Sequence, residues 1–416
     1  MSKPTLPGPV WDWNGVIGTG QSLAVGAIPV VSIVSVSQPH ANLKLALGEA
    51  VVPPWNPADP SLHMAPLVEP LRPLATEYPS PYPANIYGET LHSAMANQVS
   101  ALAKRDGGDH VSVHSAVGEC GQGIVALKKQ SGDTNGIQGR AYAAALFEVT
   151  AIARLAREAG KSFGVRAIVM THGETDWESL TYRAELIELL EDWNRDLTSI
   201  TGQAQPIPLL LSQQFAFPVA LGERPSGTHL QGQLGVERPG EFVCTGPKYQ
   251  YPGEGDAIHL TLTGYHQLGE KTGQVYFERF VRGVDWQPLH PLRVERRDAL
   301  VVVHFHVPVL PLVWDASLPD SPLWPNGRGF ELYRGAHRIP IEAVTISGSS
   351  VAIRSAEKLP ERGLCVAYAM SSNGIQMDTG SKGFRWGRLR DSDPLVGSTT
   401  GMSQPNFCVS FDLPVP

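Results

Sequence analysis

The chain has 416 residues, 42% of them hydrophobic, with 33 basic against 40 acidic side chains and a formal net charge of −7, the composition of two or three ordinary globular domains. No basic run is long enough to follow a phosphate backbone, which excludes nucleic acid as an expected partner, and no stretch approaches the ~18 apolar residues of a membrane span. The four cysteines, Cys120, Cys244, Cys365 and Cys408, lack metal-ligand spacing, so at most Cys365 and Cys408 are expected to pair.

Residues 1–14 are rich in proline and tryptophan and read as surface chain, without the basic-then-apolar pattern of a secretory signal. The protein is therefore expected to stay in the cell, or to be exported with its signal already removed. A first strand is predicted over 15–19, and it runs straight into Gly18-Thr19-Gly20-Gln21-Ser22-Leu23. A serine set between glycines just past a strand is a candidate nucleophile, because the glycines let the backbone turn sharply and a substrate approach closely. Residues 27–84 carry too many prolines for long helices and read as a long structured loop with one strand at 43–47.

From residue 89 onward the pattern becomes regular. Helices are predicted over 89–104, 137–159, 182–200 and 262–281, with strands over 110–117, 165–170, 207–212 and 241–244. Strands alternating with helices predict a mostly parallel sheet covered on both faces, with its site at the carboxyl ends of the strands. After about residue 283 short β-rich runs separated by Gly, Pro, Asp and Ser predict a small antiparallel sandwich. Two domains follow: 1–284 for the chemistry and 285–416 as a β-rich accessory unit. A fragment ending at 284 is expected to keep activity on a small ester.

Three further stretches bear on Ser22. Asp256-Ala257-Ile258-His259 sets a carboxylate and an imidazole three residues apart, a spacing that lets Asp256 hold one ring nitrogen while the other faces a serine. Gly118 and Gly121 follow the strand at 110–117, where a glycine lets a backbone N–H point at a developing oxyanion. His172-Gly173-Glu174-Thr175-Asp176-Trp177 is a polar turn directly after the strand at 165–170. Trp177, Trp11 and Trp13 are candidates to line a sugar cleft. His304 and His306 would share one strand face, a possible metal pair but more simply a solvated face. No dinucleotide fingerprint or Walker lysine is present, so no cofactor is expected.

In this order the four blocks resemble those of the SGNH (GDSL-type) hydrolase superfamily, which carry a Ser, a Gly, an Asn and a closing Asp-x-x-His. Gly20-Gln21-Ser22-Leu23 and His172-Gly173-Glu174-Thr175-Asp176 look most like the branch of sialate O-acetylesterases and carbohydrate acetylesterases, whose third block reads Gln-Gly-Glu-Ser-Asp. The resemblance covers about residues 15–282. It implies a three-layer α/β/α fold, with Ser22 as nucleophile, His259 as base, Asp256 as its orienter, and the Ser22 and Gly118 N–H groups as oxyanion donors.

The chain departs from the superfamily at the third block, where Thr175 stands at the Asn position and His172 at the branch's Gln position. A third donor is then expected from His172, with Thr175 as its rival, and Gly121 competes with Gly118. The activity implied is a metal-independent serine esterase that removes a short acyl group, most simply acetyl, from a carbohydrate. The rivals are a lipid or thioester hydrolase of the same fold and a carbohydrate-binding protein with weak catalysis.

Overall fold

The structure is a computed structural model that describes residues 11–27, 33–52, 54–74, 82–83, 85–86, 88–130, 136–216, 220–225, 227, 230–254, 258–373 and 385–416. Its centre is a seven-stranded sheet built from β1 (Trp13–Gly20), β2 (Leu43–Ala46), β3 (His63–Pro66), β4 (Ser112–Ala116), β5 (Phe163–Thr171), β6 (Leu209–Gln213) and β7 (Phe242–Pro247), in the order β3-β2-β4-β1-β5-β6-β7. All pairings are parallel except that of β3 with β2. The helices are α1 (His92–Arg105), α2 (Ile124–Leu127), α3 (Arg140–Glu158), α4 (Tyr182–Thr201), α5 (Leu230–Glu237) and α6 (Leu262–Tyr276), the last running into a π-helical turn at Phe277–Val281.

The two-residue period of the strands explains why both faces are covered. Val16, Val169 and Leu210 point into one core with Met95 and Val99 of α1 and Leu268 and Val275 of α6. Their neighbours Ile17, Ile168, Leu209 and Leu211 point into the other, with Ala144 and Ile152 of α3 and Leu186 and Leu190 of α4. This is the three-layer α/β/α arrangement expected from the sequence.

Two differences concern residues 27–84. β3 is a strand there as well as β2, and a short 3-10 helix (Gly48–Val51) lies between them. Arg72 is buried and paired with Glu148 of α3, whose Oε1 also accepts from Tyr82 Oη at 2.6 Å. One buried carboxylate on a distant helix is thus among the groups that hold the proline-rich segment, a feature without local periodicity.

The C-terminal region forms antiparallel sheets from β8 (His290–Arg297), β9 (Leu300–His306), β10 (Val313–Trp314), β11 (Phe330–Arg334), β12 (His337–Arg338), β13 (Ile341–Ser347), β14 (Ser350–Ser355), β15 (Leu364–Tyr368), β16 (Leu389–Arg390) and β17 (Phe411–Pro414). Two four-stranded sheets, β12-β11-β15-β17 and β13-β14-β9-β8, meet through Phe305 of β9 against Phe330 and Phe411, and β10 pairs with β16 apart from them. This is the sandwich, but its core does not stop at residue 284. Leu289, Val303, Phe330, Tyr368 and Phe407 belong to the same apolar cluster as α1, α6 and the face of the parallel sheet.

All four cysteines are free, with Cys408 fully buried and Cys365 on β15, so the one pairing left open by the sequence does not form. His304 bonds Ser350 Oγ at 2.8 Å and lies 3.3 Å from Glu295, while His306 packs against His290; among the described residues no group of side chains is arranged to hold a metal.

Behind β1, His92 and His114 share one hydrogen bond, Nδ1 to Nδ1 at 2.9 Å, and His110 lies 3.3 Å from Tyr276 Oη. Burial is the first cause that depresses all three, His92 to about 3 and His110 to about 4. Their unfolded values lie near ~6.5, so below that pH the unfolded chain binds protons that the folded one does not. Stability is therefore expected to be full above pH ~6.5 and to fall progressively toward pH 4. Urea midpoints at pH 7.5, 6.0 and 5.0 check this, because ordinary carboxylates hardly titrate across that interval. A midpoint constant from 7.5 to 5.0 would contradict it.

Candidate active site

Ser22 opens a short 3-10 helix, Ser22–Ala24, directly beyond the carboxyl end of β1, and is only 4% exposed. Its position is set by its neighbours in the sheet. Gly20 has φ +139° and sits against the Thr171 carbonyl, so close that a Cβ there would lie 2.1 Å from that oxygen. Gln21 N donates to Thr171 O at 3.2 Å and Glu119 N to Gly20 O at 2.9 Å. The ends of β4, β1 and β5 are thereby tied side by side, and Ser22 Oγ makes no hydrogen bond among the described residues. An unengaged hydroxyl is compatible with catalysis, since such bonds often tighten only when substrate is bound.

The two candidate glycines differ in the space around them. A Cβ on Gly118 would lie 2.6 Å from the Gly20 carbonyl, whereas one on Gly121 would meet nothing. Gly118 is the residue that permits the second block to abut the serine loop. Gly121, with φ +70°, serves a turn.

The turn after β5 is fastened to the second block. Thr175 N lies 3.4 Å from Gln21 Oε1, Thr175 Oγ1 3.4 Å from the Gly121 carbonyl, and Asp176 Oδ2 accepts from Ile124 N at 2.8 Å. His172 is fully buried, with Nδ1 3.1 Å from Tyr182 Oη and Nε2 3.0 Å from the Gln122 carbonyl. Burial pushes its pKa down, and both ring nitrogens are engaged, with the Gln122 carbonyl accepting from Nε2–H. His172 therefore braces the turn and has no N–H left for an oxyanion, contrary to its expected role. Thr175, by contrast, is exposed.

The segment that carries His259 leaves β7 through a 3-10 turn, Lys248–Gln250, and returns to α6. It closes on itself: Thr261 N donates to Pro252 O at 3.0 Å and Glu254 N to His259 O at 2.7 Å. His259 is half-buried on this loop, at the same edge of the sheet as Ser22, and Asp256 lies outside the described residues. Trp177 is half-buried on the turn after β5. Trp13 begins β1 and Trp11 packs on Gly164, so both lie at the opposite edge, about 23 Å of strand from Ser22, and do not line its cleft.

Behind the turn lies a polar layer with no motif of its own. Glu174 pairs with Lys248, both essentially unexposed; Gln231 Nε2 donates to His172 O at 2.8 Å; and the Arg385 guanidinium donates to Gln214 Oε1 at 2.6 Å. Only the Glu of the third block stood out in the sequence; its partners are isolated polar residues whose burial has no local signal.

No protein-family model and no curated protein sequence matches the chain. Among solved structures, a carbohydrate acetylesterase from Xanthomonas citri superposes over 96% of this chain and 80% of its own, with a TM-score of 0.56 at 12% identity. The chain has the fold of the SGNH-type hydrolases. A protein of Arabidopsis thaliana aligns over 64% of this chain and 98% of its own at 16% identity with a TM-score of 0.42. NanS aligns over 64% and 97% at 10% identity, also with a TM-score of 0.42. The likeness to the Xanthomonas citri structure extends into the region of the antiparallel sheets.

Proposed function

We propose that this protein is a serine esterase that removes short acyl groups, most simply acetyl, from a carbohydrate. The observation that carries the reading is the placement of Ser22. It lies at the carboxyl end of the central strand, with Gly118 against its loop and the third-block turn tied to Gln21. The fold shared with a carbohydrate acetylesterase supports the substrate class.

In this reading Ser22 Oγ attacks the ester carbonyl while His259 takes its proton, and Asp256 orients the imidazole. The Ser22 and Gly118 N–H groups receive the oxyanion, and the Thr175 hydroxyl, exposed and held only by a long 3.4 Å bond to the Gly121 carbonyl, turns from that bond to serve as the third donor in place of the buried His172. His259 then returns the proton to the leaving sugar hydroxyl, and water releases the acyl group by the same steps. Residues 1–284 supply this chemistry, while 285–416 support its walls.

The test is a chain-length series of p-nitrophenyl esters, followed by acetate release from acetylated xylan, pectin and sialic acid. kcat/KM is expected to be highest for acetate and to fall at least about tenfold by octanoate, the discrimination that a few excluded methylenes produce. Preference for palmitate would favour the lipid hydrolase instead. Sugar binding without turnover of any ester would leave a carbohydrate-binding protein.

A further inference from the structure

We infer that the buried Glu174–Lys248 ion pair is a strut that sets the nucleophile loop and the base loop at their working separation. The inference rests on the esterase reading above for its kinetic consequence, though not for its geometry. Glu174 lies in the third-block turn, where its neighbour Thr175 bonds Gln21, the residue before Ser22. Lys248 lies in the 3-10 turn that begins the His259 loop. The pair joins residues 74 apart in sequence, with Lys248 0% and Glu174 1% exposed, and Lys248 Nζ donates to Glu174 Oε1. One chain of contacts therefore runs from Ser22 through Gln21, Thr175, Glu174 and Lys248 to the loop closed by Pro252 and Thr261.

Simple fold stabilisation accounts poorly for this arrangement. Taking two charges out of water costs several kcal/mol, and such a pair contributes little net stability over an apolar pair of similar shape. The hydrogen bonding of the pair is also incomplete, because Glu174 Oε2 is buried with no hydrogen-bond partner among the described residues. Buried polar groups left short of partners call for a role beyond packing. What an ion pair adds here is direction. It fixes the spacing of two loops that no strand pairing connects, since Glu174 follows β5 and Lys248 follows β7, with β6 between them. Behind Lys248, Tyr249 Oη donates to the Cys408 carbonyl, so the far end of the strut is anchored to the C-terminal region.

The test compares wild type with the doubly neutral variant Glu174→Gln/Lys248→Gln, which retains one hydrogen bond across the same gap. The variant is expected to melt cooperatively, with kcat on p-nitrophenyl acetate lowered about 10- to 100-fold and KM within about twofold, the signature of displaced reacting groups. The His259 imidazole titration, followed by NMR and assigned with His259→Asn, is expected to shift in the same variant. A folded double variant with wild-type kcat and an unchanged His259 titration would overturn the strut. Should the double variant not fold, Lys248→Arg keeps the charges but lengthens the link. It is expected to fold with a lowered kcat, and full kcat there would equally overturn the proposal. If wild type hydrolyses no ester while the His259 titration still moves in the double variant, the esterase reading fails and the strut stands.

Discussion

Replacing Ser22 with alanine is expected to lower ester turnover by on the order of 10⁴- to 10⁶-fold, the cost of losing a nucleophile from a cooperating set. Folding should be nearly untouched. The side chain is 4% exposed and its hydroxyl forms no hydrogen bond among the described residues, so its removal leaves no partner stranded and should change stability by under about 1 kcal/mol. A serine-directed phosphonate should label wild type and not the variant. His259→Ala should cost about as much, and the double variant little more than either single, because the groups act as a unit. Near wild-type turnover by Ser22→Ala would remove the proposed mechanism altogether.

Truncation after residue 284 is expected to abolish folding rather than to leave an active fragment. The reason lies in what the last segment covers. Glu270 and Lys271 of α6 are both fully buried, and apart from the Lys271 bond to Gln274 at 2.6 Å their hydrogen-bond partners lie beyond the cut. Glu270 Oε1 accepts from Thr399 N at 2.6 Å and Thr400 N at 2.7 Å, its Oε2 accepts from Gln404 Nε2 at 2.8 Å, and Lys271 Nζ lies 2.9 Å from Asn406 Oδ1. Gln213, at the end of β6, exchanges two hydrogen bonds with Ser410, at 3.0 and 2.7 Å. Val409 even enters the core on the far side of the parallel sheet. Removing 285–416 would strip Glu270 of its hydrogen-bond donors, leave Lys271 with Gln274 alone, and uncover an apolar face that continues the main cluster. Solubility, the near-UV spectrum and the cooperativity of melting of a 1–284 chain check this. A soluble fragment with a sharp transition and turnover on p-nitrophenyl acetate would show that the two regions are separable after all.

The layered fold and the place of Ser22 were legible in the sequence because both depend on local, repeating patterns. Val16 and Ile17, or Val169 and Ile168, alternate between two cores as the strand period requires, and a helix shows its buried stripe within a few turns. A glycine-flanked serine at the end of such a strand is placed by the same local logic. Short elements escaped: α2 has four residues and α5 eight, and β3 pairs only because β2 offers it an edge.

What only the tertiary structure decided is which polar groups meet. His172 looked like a donor by position, yet Tyr182 and Gln122 arrive from other elements and engage both ring nitrogens. Gly118 and Gly121 look alike in the sequence, yet the Gly20 carbonyl stands beside one and open space beside the other. Trp11 and Trp13 are near Ser22 in sequence and far from it in space, since an extended strand carries them to the opposite edge. Glu174 and Lys248, 74 residues apart, have no shared periodicity, and their pairing exists only because β5 and β7 end on the same side of the sheet. Burial patterns are written along the chain because each residue meets the solvent or the core locally. Polar partnerships are set by the packing of distant segments, and single-residue spacing carries no record of them.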